Sequence, residues 1–276
     1  MIYGIDIVNP SNNICLKSTK GVPPNILGTK ENIEMLTRNS ILRFVQNNYN
    51  TDQIVISSVG RISFPSIIKL IENYFGSAKK NNRIKNRNQF TNYIPGIRIL
   101  DKDTFQSHCI IGNIACDISN PKRMTMILLN NIIGSQSMNS RLNLALREKN
   151  GIAYNIESCY TAYSDTGLFN VYFGTDKENL NKAIDLVLKE FKLLREKKLG
   201  VLQLKKAQKQ LMGQIAISIE NHEDLMLTIG KNYMLFNKVE PVAILFRKIE
   251  AITQYDLLEV ANEVLNTDKL SRLIYR

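Results

Sequence analysis

An arginine and a tyrosine stand seven positions apart in the stretch REKNGIAY, as Arg147 and Tyr154. Guanidinium and phenol groups both donate hydrogen bonds, so two such side chains at one edge of a sheet could bind a single oxygen. The residues before Arg147 carry an apolar helical stripe, formed by Leu142, Ala145 and Leu146. Gly151 suits the left-handed conformation that ends a helix, and Tyr154 then opens a strand. This geometry suits a binding site. A structural arginine at the helix end and a buried tyrosine in the strand would fit the same sequence.

The composition indicates a globular chain that must hold these two residues in place. Its 276 residues are 44% hydrophobic, enough for one large domain or two ordinary ones. No stretch approaches the roughly 20 apolar residues of a membrane span, and the N-terminal residues lack the order of a signal peptide. The four cysteines show no CxxC spacing, which favours free thiols in a reducing compartment. We therefore expect a cytoplasmic protein without a membrane partner.

The net charge of +11 raises the hypothesis of nucleic-acid binding, because phosphate neutralisation needs clustered basic residues. The densest cluster contains Lys79, Lys80, Arg83, Lys85 and Arg87. It has no interleaved aromatic residues and no apolar period. A solvated linker explains it better, so no nucleic-acid partner is expected.

The N-terminal part of the chain reads as helices around one strand. A short helical turn precedes a longer helix with Thr37 as its N-cap, and its expected buried side carries Ile41, Leu42 and Val45. QIVISSVG is predicted as a strand. SFPSIIKLIENYF is predicted as a helix capped by Ser63, with Pro65 in its first turn. The polar stretch from Gly76 to Gly96 is predicted as an interdomain linker.

The remainder of the chain places strands first and helices afterwards. Two strands are predicted in IRILDKDTFQSHCIIGNIAC, a helix in NPKRMTMILLNNII, and a hairpin from AYNIESCYTAY to GLFNVYFGTD across Ser-Asp-Thr. Thr175 and Glu178 match a capping box that would open the next helix. Helices follow to Asn266, and KLSRLIYR closes as a strand. This order predicts an α+β fold with a mixed, largely antiparallel sheet packed on helices.

An internal repeat divides the chain. The 22 residues from Ile33 align without gaps on those from Ile249, an offset of 216 residues, with seven identical pairs. Two copies of one domain are therefore predicted. The second copy begins near Ile97, so the first would begin about 119 residues before Met1, and its front half is missing. We predict the back half of a first domain at 1–78, a basic linker at 79–96 and a complete second domain at 97–276.

Several stretches resemble the inverted-zincin metallopeptidases, the family of pitrilysin, insulin-degrading enzyme and the mitochondrial processing peptidase, and especially its smaller bacterial members. The matching pieces are PNILGTKENI, NYNTDQIVISSVG, FQSHCIIG, MNSRLNLALREKNGIAY, YSDTGLFNVYFGTD and LKKAQKQLMGQIAISIE. They run in order from about residue 24 to the end, and SRLxxxLREKxGxAY followed by YSDTGLF is their most specific part. The resemblance implies paired α+β domains, the first binding zinc through an HxxEH helix.

This chain cannot build that zinc motif. HxxEH needs two imidazoles on one helical face and a carboxylate that takes a proton from metal-bound water. The only histidines are His108, in a predicted strand, and His222, which has Met226 where the motif requires a second histidine. We expect no metal or other cofactor in this chain, with zinc held by the complete enzyme or a partner.

The resemblance gives Arg147 and Tyr154 a role, since the second domain of the family contributes an Arg and Tyr pair at spacing seven that contacts the substrate backbone. We therefore expect a substrate-binding C-terminal part of a zinc metalloendopeptidase, inactive alone. Its expected partners are a peptide and a homologous HxxEH-bearing domain or subunit, as a dimer. The alternative is a noncatalytic assembly or scaffold subunit. Whether the chain is a natural half or a piece of a longer protein stays open.

Overall fold

The computed structural model describes residues 30–78, 80, 90, 92–101, 105–135 and 138–276. The described residues form two compact units. The first contains those of Gln89–Leu211 and Phe246–Arg276, and the second contains those of Gly28–Asn88 and Met212–Leu245. Cys15 and most of the basic cluster lie outside the described residues. The proposed ancestry of residues 1–78, 79–96 and 97–276 stays a prediction, because compactness does not test common descent.

The first unit is built on a sheet of five described strands. These are β1 Ile97–Leu100, β2 Ser107–Ala115, β3 Ala153–Ala162, β4 Gly167–Thr175 and β5 Ser271–Tyr275. Their order across the sheet is β1-β5-β2-β4-β3. Only the β1–β5 pair is parallel among these strands, and the others are antiparallel. The prediction of a mixed, largely antiparallel sheet is confirmed, as is the hairpin between β3 and β4.

Helices cover the sheet of the first unit. They are α4 Arg123–Gly134, α5 Leu180–Glu196, the first part of α6 Val201–Glu220, the end of α8 Val242–Glu250, and α9 Gln254–Val264. α9 packs against α4, α5 and β2, and α4 also packs against β3. The core between these layers includes Cys109, Ile111, Met126, Leu129, Phe169, Phe173, Val187, Phe191 and Leu257, all 2% exposed or less. The predicted α+β layer arrangement is confirmed.

The second unit contains helices at the positions that the sequence predicted. They are α1 Lys30–Glu34, α2 Arg38–Asn48, α3 Phe64–Phe75 and α7 His222–Phe236, with the end of α6 and the start of α8. Thr37 caps α2, since its hydroxyl accepts a hydrogen bond from the Ser40 amide at 3.2 Å. Ser63 is the N-cap residue of α3, and Pro65 lies in the first turn.

Two expectations for this unit are wrong. The side of α2 predicted to be buried is exposed, at Ile41, Leu42 and Val45. Residues 54–59 follow the 3-10 turn Thr51–Gln53 without forming a strand. Residues 54–59 form no strand because no described strand pairs with them. For α2, apolar periodicity predicts only that a face needs covering, and it does not supply the cover.

The predicted Thr175–Glu178 capping box is also wrong. Thr175 is the last residue of β4 and pairs with Ser107 on one side and Ala153 on the other. Its buried hydroxyl donates to the Ile152 carbonyl oxygen at 2.5 Å, so it is not available to a helix. A 3-10 turn over Lys177–Asn179 leads into α5 instead.

The internal repeat is visible in local structure. α2 and α9 are each 11 residues long and begin 216 positions apart, at Arg38 and Gln254. Each begins with a reciprocal capping box, formed by Thr37 with Ser40 and by Thr253 with Asp256. Each is also followed by a 3-10 turn at the same offset. The two segments therefore share their local structure, and their common descent stays a prediction.

Candidate functional site

Arg147 lies on a helical segment that is followed by a turn at Gly151. Its apolar residues Leu142, Ala145 and Leu146 are buried, as their spacing predicted. The segment is a π-helix over Asn143–Glu148 and not the α-helix expected from the sequence. The Lys149 amide accordingly donates to the Leu144 carbonyl oxygen at 3.1 Å, five residues back. Such widened turns occur mostly as single insertions, often at functional sites.

Gly151 ends this helix in the predicted way. Its φ is +62°, in the left-handed region that only glycine enters without strain. The Gly151 amide donates to the Arg147 carbonyl oxygen, and the Ile152 amide donates to that of Leu146, both at 3.0 Å. This nested pair resembles a Schellman motif enlarged by one residue. The end of the helix is therefore held by its own backbone.

The next residue after this turn, Ala153, begins β3. Ala153 is 1% exposed and pairs with Thr175 across the sheet. The next paired residue is Ile156, whose partner Phe173 lies only two positions from Thr175, so β3 contains one extra residue in between. That β-bulge includes Tyr154. Bulges of this kind often redirect a side chain beside an active site.

Both predicted site residues present their side chains to solvent. Tyr154 is 74% exposed, so the alternative of a buried strand tyrosine is wrong. The Arg147 side chain is 43% exposed, and its Nε lies 3.9 Å from a carboxylate oxygen of the adjacent Glu148. An exposed ion pair at that distance contributes little and leaves the guanidinium available. The role of the pair in binding substrate stays a prediction.

A cleft of about 450 Å³ lies beside the same helical segment in the first unit. Its lining includes Leu144 and Lys149, but neither member of the predicted pair. There, Arg141 forms a half-buried ion pair with Glu190 at 3.3 Å, which joins the start of the segment to α5. Arg141 belongs to the SRL signature, yet no sequence pattern links it to a residue 49 positions away. The sequence did not reveal this contact with Glu190.

The described residues do not fit a zinc site. His108 lies on β2, where its Nδ1 is 2.9 Å from the Tyr172 hydroxyl and the two rings stack. His222 is the exposed first residue of α7, and Met226 occupies the position four residues on. Within the described ranges, no group of three or more histidines, cysteines or acidic residues could hold a metal ion. The side chains of Arg147 and Tyr154 offer hydrogen-bond donors in this segment.

The described cysteines are three free thiols with different surroundings. Burial raises the pKa of the Cys109 thiol to about 12, although Arg272 partly offsets this effect. Burial likewise raises the pKa of the Cys116 thiol. The Tyr160 hydroxyl donates a hydrogen bond to the Cys116 carbonyl oxygen at 2.8 Å. Cys159 is exposed on β3. The two thiols with raised pKa values are structural residues and poor nucleophiles.

No helix in the part of the chain that the structure describes combines the length and apolar character needed to cross a membrane.

The comparisons with known proteins agree with this architecture. A family model described as the peptidase M16 inactive domain matches residues 35–211. An uncharacterized zinc protease of Bacillus subtilis is 26% identical over 249 residues, which is 90% of this chain and 60% of that protein. A probable mitochondrial-processing peptidase subunit beta of Schizosaccharomyces pombe is 30% identical over 256 residues, covering 87% of this chain and 55% of that protein.

Solved structures show the same fold. The crystal structure of a peptidase M16 inactive domain from Pseudomonas fluorescens superposes with a TM-score of 0.82 at 20% identity, over 94% of this chain and 62% of that one. A protease from Helicobacter pylori gives a TM-score of 0.73 at 16% identity, over 91% and 61% of the two chains. This chain thus spans about 55 to 62% of the length of these relatives.

Proposed function

The chain belongs to the M16 peptidase family, and we propose that it is the substrate-holding part of a zinc metalloendopeptidase, with Arg147 and Tyr154 as the groups that bind the substrate backbone. The metal site is carried by a homologous HxxEH-bearing domain, on another segment or on a partner subunit with which this chain pairs as a dimer. Alone, the chain is inactive. One observation carries the proposal: a fixed turn displays both hydrogen-bond donors to solvent.

The rigidity of that turn is what makes the pair suitable for binding. Leu146, Ile152 and Ala153, which lie between or beside the two residues, are each 7% exposed or less. Gly151 and the Thr175 hydroxyl hold the intervening backbone by the hydrogen bonds described above. Only the long side chains retain freedom. A site organised before substrate arrives loses little entropy when it binds.

Both side chains donate hydrogen bonds, and neither has to change protonation state to do so. A peptide carbonyl oxygen gains negative charge as it is attacked, so a fixed donor binds the transition state more strongly than the ground state. Removing one such donor from an oxyanion site lowers turnover by about 10² to 10³-fold. The attacking water and its metal lie outside the residues described here.

The proposal is tested by complementation. The full chain is mixed with a purified HxxEH-bearing homologue from the same organism, and hydrolysis of a quenched fluorescent peptide library is measured. The mixture should be active where each component alone is not. Arg147→Ala or Tyr154→Phe should then lower kcat/KM by about 10² to 10³-fold. Lys149→Ala and Tyr255→Phe are matched controls, because they remove another exposed cation and another exposed hydroxyl from the same unit.

The same assay separates the proposal from a scaffold role. If Arg147→Ala and Tyr154→Phe both form the complex and keep full activity, the chain acts only in assembly. If the unaccompanied chain binds zinc stoichiometrically and loses peptidase activity on chelation, the assignment of the metal site to another segment is wrong.

A further inference from the structure

The cleft of about 450 Å³ beside the helical segment is enclosed by four elements of the first unit, and we call it the α5–α6 cleft. Its walls are formed by α4, the segment over 139–149, α5 and α6. α6 contributes Gln203, Lys206 and Gln210, which are spaced three and four apart and therefore lie on one face. A cleft of this volume between helices suits a small organic molecule.

Hydrogen bonds between lining side chains hold these walls together. The Asn139 side-chain amide donates to the Gln210 side-chain oxygen at 2.8 Å, which joins the segment to α6. The Gln210 amide donates to the Asn131 side-chain oxygen at 3.4 Å, which joins α6 to α4. The ion pair of Arg141 with Glu190 joins the segment to α5. The cleft is therefore formed before a ligand arrives, which lowers the entropic cost of binding.

Positive charge dominates the described lining of this cleft. Its basic residues are Arg141, Lys149 and Lys206, and Glu190 is its one acidic residue, so two positive charges are in excess. Glu190 accepts from a single N–H of the Arg141 guanidinium, which has five. Neither lysine forms an ion pair with another described residue. An excess of two positive charges in a recess attracts a ligand that carries two negative charges.

The lining also has an apolar part, formed by Ile132, Leu144 and Leu193 among others. Leu144 is 40% exposed, so much of its surface is open to a ligand. An inorganic anion would leave this apolar surface in water. An aliphatic body would cover it, which is favourable because apolar area is removed from water.

The basic residues are distributed around the cleft and not gathered at one point. Arg141 and Lys149 lie at opposite ends of the segment, up to about 12 Å apart along its axis. Lys206 lies on α6. A phosphate group holds both of its charges at one point, whereas a dicarboxylate holds them at the two ends of its body. A guanidinium also binds a carboxylate through paired hydrogen bonds.

We propose that the α5–α6 cleft binds a small aliphatic dicarboxylate. Arg141 and Lys206 bind its two carboxylates, Lys149 adds to the positive field, and the apolar part of the lining packs against the methylene groups. This site is independent of the proposed function, because neither Arg147 nor Tyr154 lines it. Peptide hydrolysis is measured without such a ligand, so Lys149→Ala stays a control in that assay.

Isothermal titration calorimetry of the full chain with glutarate, in an amine buffer at low ionic strength, tests the proposal. Glutarate should bind saturably at one site. Glutaramide has the same aliphatic body without the charges, and inorganic phosphate has the charges without the body. Each of these two should bind at least about tenfold more weakly than glutarate.

Variants of the lining locate the binding. Lys206→Gln removes one proposed carboxylate ligand and should raise the Kd of glutarate about fivefold or more. Lys205→Gln is the matched control, because Lys205 is an exposed neighbour on α6 that does not line the cleft. It makes the same change in net charge and should alter the Kd less than about twofold.

A double variant tests the second carboxylate ligand. Arg141→Gln combined with Glu190→Gln replaces the ion pair by two amides, so no carboxylate is left without its partner. It should also raise the Kd of glutarate about fivefold or more. Circular dichroism checks that each variant is folded, and the double variant replaces Lys206→Gln if that variant does not fold.

Four results would overturn the proposal. They are the absence of saturable glutarate binding, equal binding of glutaramide, equal binding of inorganic phosphate, and equal effects of Lys205→Gln and Lys206→Gln on the Kd. None of these results involves hydrolysis, so they are distinct from a failure of the proposed peptidase role.

Discussion

Replacing Gly151 with alanine should destabilise the turn that carries the Arg and Tyr pair, by an amount that the backbone conformation sets. The φ of Gly151 is +62°, and a Cβ built there meets no atom within 4 Å. The substitution therefore adds no collision with neighbouring residues. What remains is the strain of an L-residue in the left-handed region, about 1–2 kcal/mol. For a domain of 150–250 residues, this corresponds to a fall in Tm of about 2–8 °C.

Gly213→Ala is the matched control, because its expected effect on stability has the opposite sign. Gly213 is an exposed residue of α6, and a Cβ there also meets nothing within 4 Å. Alanine at a helical position stabilises by about 0.5–1 kcal/mol relative to glycine. Thermal unfolding followed by circular dichroism should show a lower Tm for the unit that contains Gly151 in Gly151→Ala. It should show a higher Tm for the unit that contains Gly213 in Gly213→Ala. An unchanged or raised transition for Gly151→Ala would refute the assignment of a strained left-handed turn between Arg147 and Tyr154.

Two further outcomes are expected. Leu257→Ala should lower the free energy of unfolding by about 2–5 kcal/mol, because the side chain is 2% exposed. Ile41→Ala, at the counterpart position in the repeat, should change it by about 0.5 kcal/mol or less, since Ile41 is 52% exposed. Equal losses in urea titrations would contradict this difference in burial. In a Cys15→Ser background at pH 8, a thiol-reactive dye should label Cys159 readily and leave Cys109 unlabelled, because the pKa of Cys109 is about 12. Since unfolding lowers that pKa, stability should also fall as pH rises above 9, and rapid labelling of Cys109 in the folded chain would contradict its burial.

Local signals predicted much of this structure. Thr37 marks a helix start because a capping side chain and the helix it caps are neighbours in sequence. Gly151 marks a turn for a comparable reason, since the need for a positive φ belongs to one residue. The strands of the first unit also follow their apolar patterns, and the repeat follows from seven identities at one offset. In the candidate site, Gly151 ends the helix as predicted and Tyr154 lies exposed in β3.

Strand pairing and the burial of helix faces could not be predicted from local sequence patterns. Residues 54–59 have strand-forming side chains, yet a strand exists only where another strand offers hydrogen bonds. Thr175 has the spacing of a helix cap, but a position opposite Ala153 gives its hydroxyl a different acceptor. The ion pair of Arg141 with Glu190 likewise depends on the packing of α5 against the helical segment. Periodicity shows which face of α2 should avoid water; whether anything covers that face depends on groups distant in sequence, which the folded arrangement alone brings together or leaves apart.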